Sequence, residues 1–222
     1  MKKILLSLFA ITLLSACNQQ KQNIDEGTNT NELPEIMQFT IPETVSAVSN
    51  NWDITVNWEA VQLSWPKLQV WDTLMDVPLD DKADYFDQVE TASINDYSWY
   101  RLIETVPSLD TPVCTMQTKQ LEFAAWEFPE ISFIIISNDT PFALQRFCSA
   151  NSIDNLKVFS DARTREFGRQ NWLLLEQYGL LTRSIMIINE NNEIEYIEYA
   201  NEVTEQLDLL NALAKLKQLT NQ

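Results

Sequence analysis

The chain has 222 residues, 15 basic and 32 acidic, for a net charge of −17, and it contains no histidine. A surface of that sign repels nucleic acid and anionic lipid headgroups. The missing histidine removes the Ser–His and Cys–His hydrolases and the histidine-bearing zinc sites.

Residues 1–16 read as a secretion signal. Lys2 and Lys3 lead, residues 4–14 are apolar apart from Ser7 and Thr12, and Ser15 and Ala16 are small. The apolar stretch is too short to span a bilayer. Leu14-Ser15-Ala16-Cys17 resembles a bacterial lipobox, in which Cys17 is acylated and becomes the first mature residue. Residues 17–32 are then a lipidated cysteine and a polar tether of roughly 20–25 Å, and residues 33–222 are one domain. Without Lys2 and Lys3, 13 basic residues face 32 acidic ones, so attachment rests on acyl chains and not on a basic patch. The expected location is extracytoplasmic, lipid-anchored to a bacterial membrane and facing the periplasm if the cell is Gram-negative.

Trp52, Ile54, Val56 and Trp58 alternate with polar residues, which predicts a half-buried strand over 52–58. Residues 61–74 continue as extended chain interrupted by Pro66. The tryptophans of this region, Trp52, Trp58, Trp65 and Trp71, are expected to pack as core side chains. The acidic run 80–96 predicts a short helix around Tyr85, Phe86 and Val89. A strand over 97–106 ends at Pro107. A helix runs from Cys114 to about Trp126, with Val113, Met116, Leu121 and Ala124 inward. The unbroken apolar centre of 131–137 is a buried strand. Thr140 caps the next helix and Pro141 suits its first turn. A short strand at Val158-Phe159, a helix over 164–170, a hairpin of 184–189 with 193–199, and a helix over 204–219 follow. This order predicts an α/β fold with a mixed central sheet and helices on both faces.

With Cys17 lipidated, Cys114 and Cys148 remain as a pair. Outside the cytoplasm such a pair is ordinarily a structural disulfide. Cys114 also sits at a helix start, where free N–H groups and the helix dipole favour a thiolate without a histidine base.

Residues 107–114, "PSLDTPVC", resemble the peroxidatic signature Pro-x-x-x-Thr-x-x-Cys of peroxiredoxins. Together with "PFALQRFC" and "LLTRSIMIINENNEIEY", they resemble the bacterial thiol peroxidases, atypical 2-Cys members of that family, over residues 97–219. The resemblance implies a thioredoxin-like fold with an N-terminal β addition. It implies that Cys114 is the peroxidatic nucleophile, that Thr111 hydrogen-bonds thiolate and peroxide, and that Pro107 shields the sulfur. Arg183 matches the active-site arginine and Cys148 the resolving cysteine. It further implies hydrogen peroxide and organic hydroperoxides as substrates, an intramolecular Cys114–Cys148 disulfide, a thioredoxin-like protein reductant and no cofactor or metal. A homodimer is compatible with it. Ser149 departs from the glycine usual after the resolving cysteine, and Arg101 and Glu104 are polar for a central strand.

Two other readings of the same residues stay open here. One is a redox-inactive, thioredoxin-like binding lipoprotein with a structural Cys114–Cys148 bridge. The other is a protein thiol–disulfide oxidoreductase, which the absence of Cys-x-x-Cys disfavours.

Overall fold

A computed structural model of the protein describes residues 54–61, 63, 67–85 and 88–221. The secretion signal, Cys17, the tether, Trp52 and Trp65 lie outside the described residues.

Strands β1 (Ile54–Val56) and β2 (Glu59–Val61) form a separate hairpin. Asn57 and Trp58 turn it with left-handed backbone, φ 54° and 65°. The expected strand over 52–58 therefore stops at Val56. Trp58 is thrown outward, 75% exposed, and Trp71, also at positive φ, is 73% exposed. Neither packs in the core as expected, because turn positions face water.

The run 80–96 is not a helix. β3 (Leu79–Tyr85) and β4 (Gln88–Ala92) pair antiparallel, and a 3-10 turn, Ile94–Asp96, follows. Long-range pairing overrides local composition here. Asp80 is in register with Ser160, and its buried carboxylate accepts from the Arg163 guanidinium, Nε lying 3.0 Å from Oδ2.

β5 (Arg101–Val106) starts later than expected, since Trp99 takes φ 73°. α1 (Pro112–Ala125) has Thr111 at its N-cap and proline in its first turn. Its buried residues are Cys114, Gln117, Thr118, Leu121, Ala124 and Ala125, so the inward face is offset from the expected one and Met116 is exposed. β6 (Ser132–Ser137) precedes α2 (Pro141–Asn151), whose first turn is capped by Thr140 as expected. β7 (Lys157–Ser160), α3 (Glu166–Gln170) and a small hairpin of β8 (Leu174–Leu175) with β9 (Leu180–Leu181) follow. β10 (Ser184–Ile188) and β11 (Ile194–Tyr199) are the expected hairpin, and α4 (Leu209–Thr220) begins late, capped by Asp208. Leu209, Ala212 and Leu216 form its buried face, and Leu210 is exposed.

Seven strands make one mixed sheet, in the order β11-β10-β5-β6-β7-β3-β4. β5, β6 and β7 run parallel at its centre, with β10 antiparallel to β5. Alternation along each strand sorts the sheet into two apolar layers. Leu102, Val106, Phe133, Ile135, Ile185 and Ile187 pack with α1, α2 and α4. Ile103, Ile134, Ile136, Met186 and Ile188 pack with Phe167 of α3 and with Leu74 and Leu79. Helices thus cover both faces, and the first layer holds the cysteines.

Candidate active site

β5 ends at Val106, and buried Pro107 leads the chain out of the sheet into the turn before α1. Asp139, just beyond β6, fixes that turn. Its carboxylate accepts from the Ser108 hydroxyl (2.8 Å), the Leu109 N–H (2.8 Å) and the Ser137 hydroxyl (3.0 Å). Thr115 donates back to the Leu109 carbonyl at 2.8 Å. The start of α1 is therefore tied to the end of β6, and Cys114 lies in the helix's first turn, where backbone N–H groups lack intrahelical acceptors.

Cys114 is wholly buried, and the Nη2 of Arg183 donates to its Sγ at 3.1 Å. Arg183 stands immediately before β10 and is itself 1% exposed. Its Nε donates to the Val203 carbonyl at 2.9 Å, and its own carbonyl accepts from Ala200 N–H at 3.1 Å. A guanidinium aligned in this way delivers a permanent positive charge to the sulfur in a buried site. The helix start and the arginine both turn positive charge toward the sulfur.

Thr111 is exposed at the N-cap, and its hydroxyl donates to the Ser108 carbonyl at 3.0 Å; no bond joins it to Cys114. The donated proton leaves the hydroxyl oxygen able to accept from an incoming O–H. Cys148 lies on α2, half-buried against the same apolar layer as Cys114, and both are free thiols. Burial first, then the Glu122 carboxylate, pushes the Cys148 thiol up to about 11, so it is protonated at neutral pH. Among the described residues, no group of three or more His, Cys, Asp or Glu side chains gathers to hold a metal.

Sequence reasoning missed three residues. Asp139 and Glu122 hold their loops through long-range contacts with no local signal. Glu122 accepts from the N–H groups of Asp154 (3.1 Å), Asn155 (3.0 Å) and Leu156 (3.2 Å), tying the exit of α2 to α1. The third is Gln117, one turn after Cys114 and fully buried, whose spacing from Cys114 does place it on the same helix face.

The AhpC/TSA family model matches residues 72–197. A thiol peroxidase of Oceanobacillus iheyensis is 37% identical over 116 residues, 52% of this chain and 71% of that protein. A thiol peroxidase of Campylobacter jejuni is 38% identical over 112 residues, 49% of this chain and 63% of that one. Among solved structures, a peroxiredoxin-like protein from Aquifex aeolicus superposes with TM-score 0.68 at 28% identity, covering 76% of this chain and 98% of that one. A thiol peroxidase from Chromobacterium violaceum superposes with TM-score 0.65 at 21% identity, over 77% and 98%, a likeness of fold.

Proposed function

The chain belongs to the AhpC/TSA family, and on that premise we propose that it reduces hydrogen peroxide and organic hydroperoxides through Cys114, with Cys148 as the resolving thiol. Its enzyme class is thiol-dependent peroxiredoxin. The observation that carries the reading is the buried Arg183 Nη2–Cys114 Sγ contact at 3.1 Å.

The Cys114 thiolate attacks the nearer peroxide oxygen. An S–O bond forms, the O–O bond breaks, and two electrons pass from sulfur to the peroxide. The departing oxygen carries the negative charge and leaves as alcohol or water once protonated. Arg183 and the N–H groups at the head of α1 face the charge that develops, which is stabilisation that acts most strongly in the transition state. Thr111 accepts from the peroxide O–H in this reading, its own proton being donated to the Ser108 carbonyl. The product is a Cys114 sulfenic acid. The Cys148 thiol then displaces its oxygen as water, giving an intramolecular disulfide, and an external dithiol of the thioredoxin type returns both sulfurs to thiols.

Leu14-Ser15-Ala16-Cys17 supports an extracytoplasmic, lipid-anchored location, so the reductant is itself extracytoplasmic. The test is peroxide consumption by the reduced full chain with a dithiol present. Wild type should turn over, and Cys114→Ser should lose at least about a hundredfold in rate while keeping its fold, since a serine hydroxyl gives no thiolate at neutral pH. An unchanged rate in that variant removes the reading.

A further inference from the structure

Glu104 stands in the middle of β5, a central strand, and is 0% exposed. It lies in register with Ile135 on β6 and Ile185 on β10. Parity puts it on the same sheet face as Leu102, Val106 and Ile185, the face that carries α1 and Cys114. Arg183 is two residues before Ile185 and so lies on the diagonal from Glu104, about 7–8 Å away along the ladder, within reach of a long side chain. Among the buried side chains of α1, β5 and the head of β10, polar atoms without a hydrogen-bond partner include both carboxylate oxygens of Glu104, both amide atoms of Gln117, the Thr118 hydroxyl and Nη1 of Arg183. Nη1 belongs to the guanidinium whose other terminal nitrogen holds the sulfur.

We propose that Glu104 is a positioning residue for the Cys114–Arg183 pair: its carboxyl and the Cys114 sulfur draw on the same guanidinium, and the charge state of the carboxyl sets how much of it the sulfur and the leaving oxygen receive. This rests on the peroxidase reading of the site. Burial raises the Glu104 carboxyl to about 8 although Arg183 pulls it down. With Glu104 protonated, thiolate and guanidinium balance in a dry layer. With Glu104 ionised, the layer carries a second negative charge before the peroxide adds its own. The developing oxyanion is then stabilised less, because Arg183 faces two anions at low local dielectric.

The other ionisable groups around Glu104 are few. β6 presents Phe133, Ile135 and Ser137 on this face, and β9 and the buried face of α4 are apolar. α1 brings Cys114, and α2 brings Cys148. β11 brings Glu198, opposite Ile185, whose carboxylate already accepts from the Tyr196 hydroxyl and the Asp208 N–H. Arg183 is the cation among them.

The test is the rate constant for Cys114 oxidation by peroxide in the reduced full chain, wild type against Glu104→Gln, which keeps shape and burial and removes the titration. The ratio of variant to wild-type rate should climb roughly fivefold or more from about pH 6.5 to about pH 9.5, as one unit of coupling is about tenfold. Glu104→Asp, which retains an acid, should retain the alkaline loss of rate. A ratio that is flat with pH overturns the proposal. A second arm does not depend on peroxide chemistry. The infrared carbonyl band of a protonated buried carboxyl, assigned by its loss in Glu104→Gln, should disappear with a higher midpoint pH in Arg183→Met than in wild type. A midpoint that does not move overturns the coupling. If wild type fails to react with peroxide at any pH, the functional reading falls and this arm alone decides the Glu104–Arg183 coupling.

Discussion

Arg183 divides one guanidinium between the Val203 carbonyl, the Cys114 sulfur and the unpartnered Nη1, and Glu104 sits near it with no hydrogen bond of its own. A buried carboxyl without a partner is costly when charged. Its ordinary value of 4.5 moves to about 8 in the fold. Between those two values the folded chain keeps a proton that the unfolded chain has released. Stability therefore falls as pH rises through that window and stays low above it, by about 3–5 kcal/mol in total. Glu104→Gln removes the dependence. Its gain in unfolding free energy over wild type should grow by about 2 kcal/mol or more between about pH 5 and about pH 8.5, read by urea denaturation. An equal gain at both pH values would mean that the fold does not raise the Glu104 carboxyl. Among single residues, the signature over 107–114 points to Cys114, and Arg183 comes only from the separate likeness of "LLTRS"; the fold brings these two into contact. That Glu104 and Gln117 turn toward the same layer was only half legible: parity and helix spacing give the face, but not that both remain without a partner.

Elements were legible where a local period decides them. The buried strand β6, the capped start of α2 and the β10–β11 hairpin were all expected from their own residues. The β3–β4 hairpin was misread as a helix because its acidic residues suit a solvated helix, whereas its conformation is set by Asp80 meeting Ser160 and Arg163 far along the chain. The loops that aim the cysteines were illegible for the same reason. Asp139 holds the turn before α1, and Glu122 holds the loop after α2. Glu122 also acts on the Cys148 thiol, as the second cause, after burial, of its rise to about 11. Glu122→Gln removes the charge and weakens charge-assisted bonds worth about 1.5–3 kcal/mol each. Both effects lower the Cys148 pKa, the first directly and the second by admitting water. Alkylation of Cys148 at about pH 8.5, followed by peptide mass spectrometry, should therefore run several-fold faster in the variant, as a half-unit shift is about threefold. Equal or slower alkylation would show that Glu122 does not restrain α2.

At the scale of the whole molecule, the sheet places Cys114 and Cys148 against one shared apolar layer, with Arg183 entering from the head of β10. That arrangement reacts only if both sulfurs are reduced when peroxide arrives. The proposed lipid anchor at Cys17 puts the chain where disulfides persist, so the resting pair would stay joined unless a reductant is present in the same compartment. With 13 basic residues against 32 acidic ones after the signal is removed, the docking face of that reductant meets an acidic surface, and the encounter gains from basic residues on the partner or from confinement at the membrane. The measurement is the redox state of Cys114 and Cys148 in intact cells, trapped with an alkylating agent that reaches the extracytoplasmic space and read by mass spectrometry. The expected result is a pair mostly reduced at rest, oxidised within a peroxide pulse, and reduced again afterwards. Cys17→Ser, which removes the acylation site, should slow the return to the reduced state if the partner is held at the same membrane. A pair that stays disulfide-bonded throughout would instead make the Cys114–Cys148 bridge structural, and the buried arginine would then be a relic of packing and not of turnover.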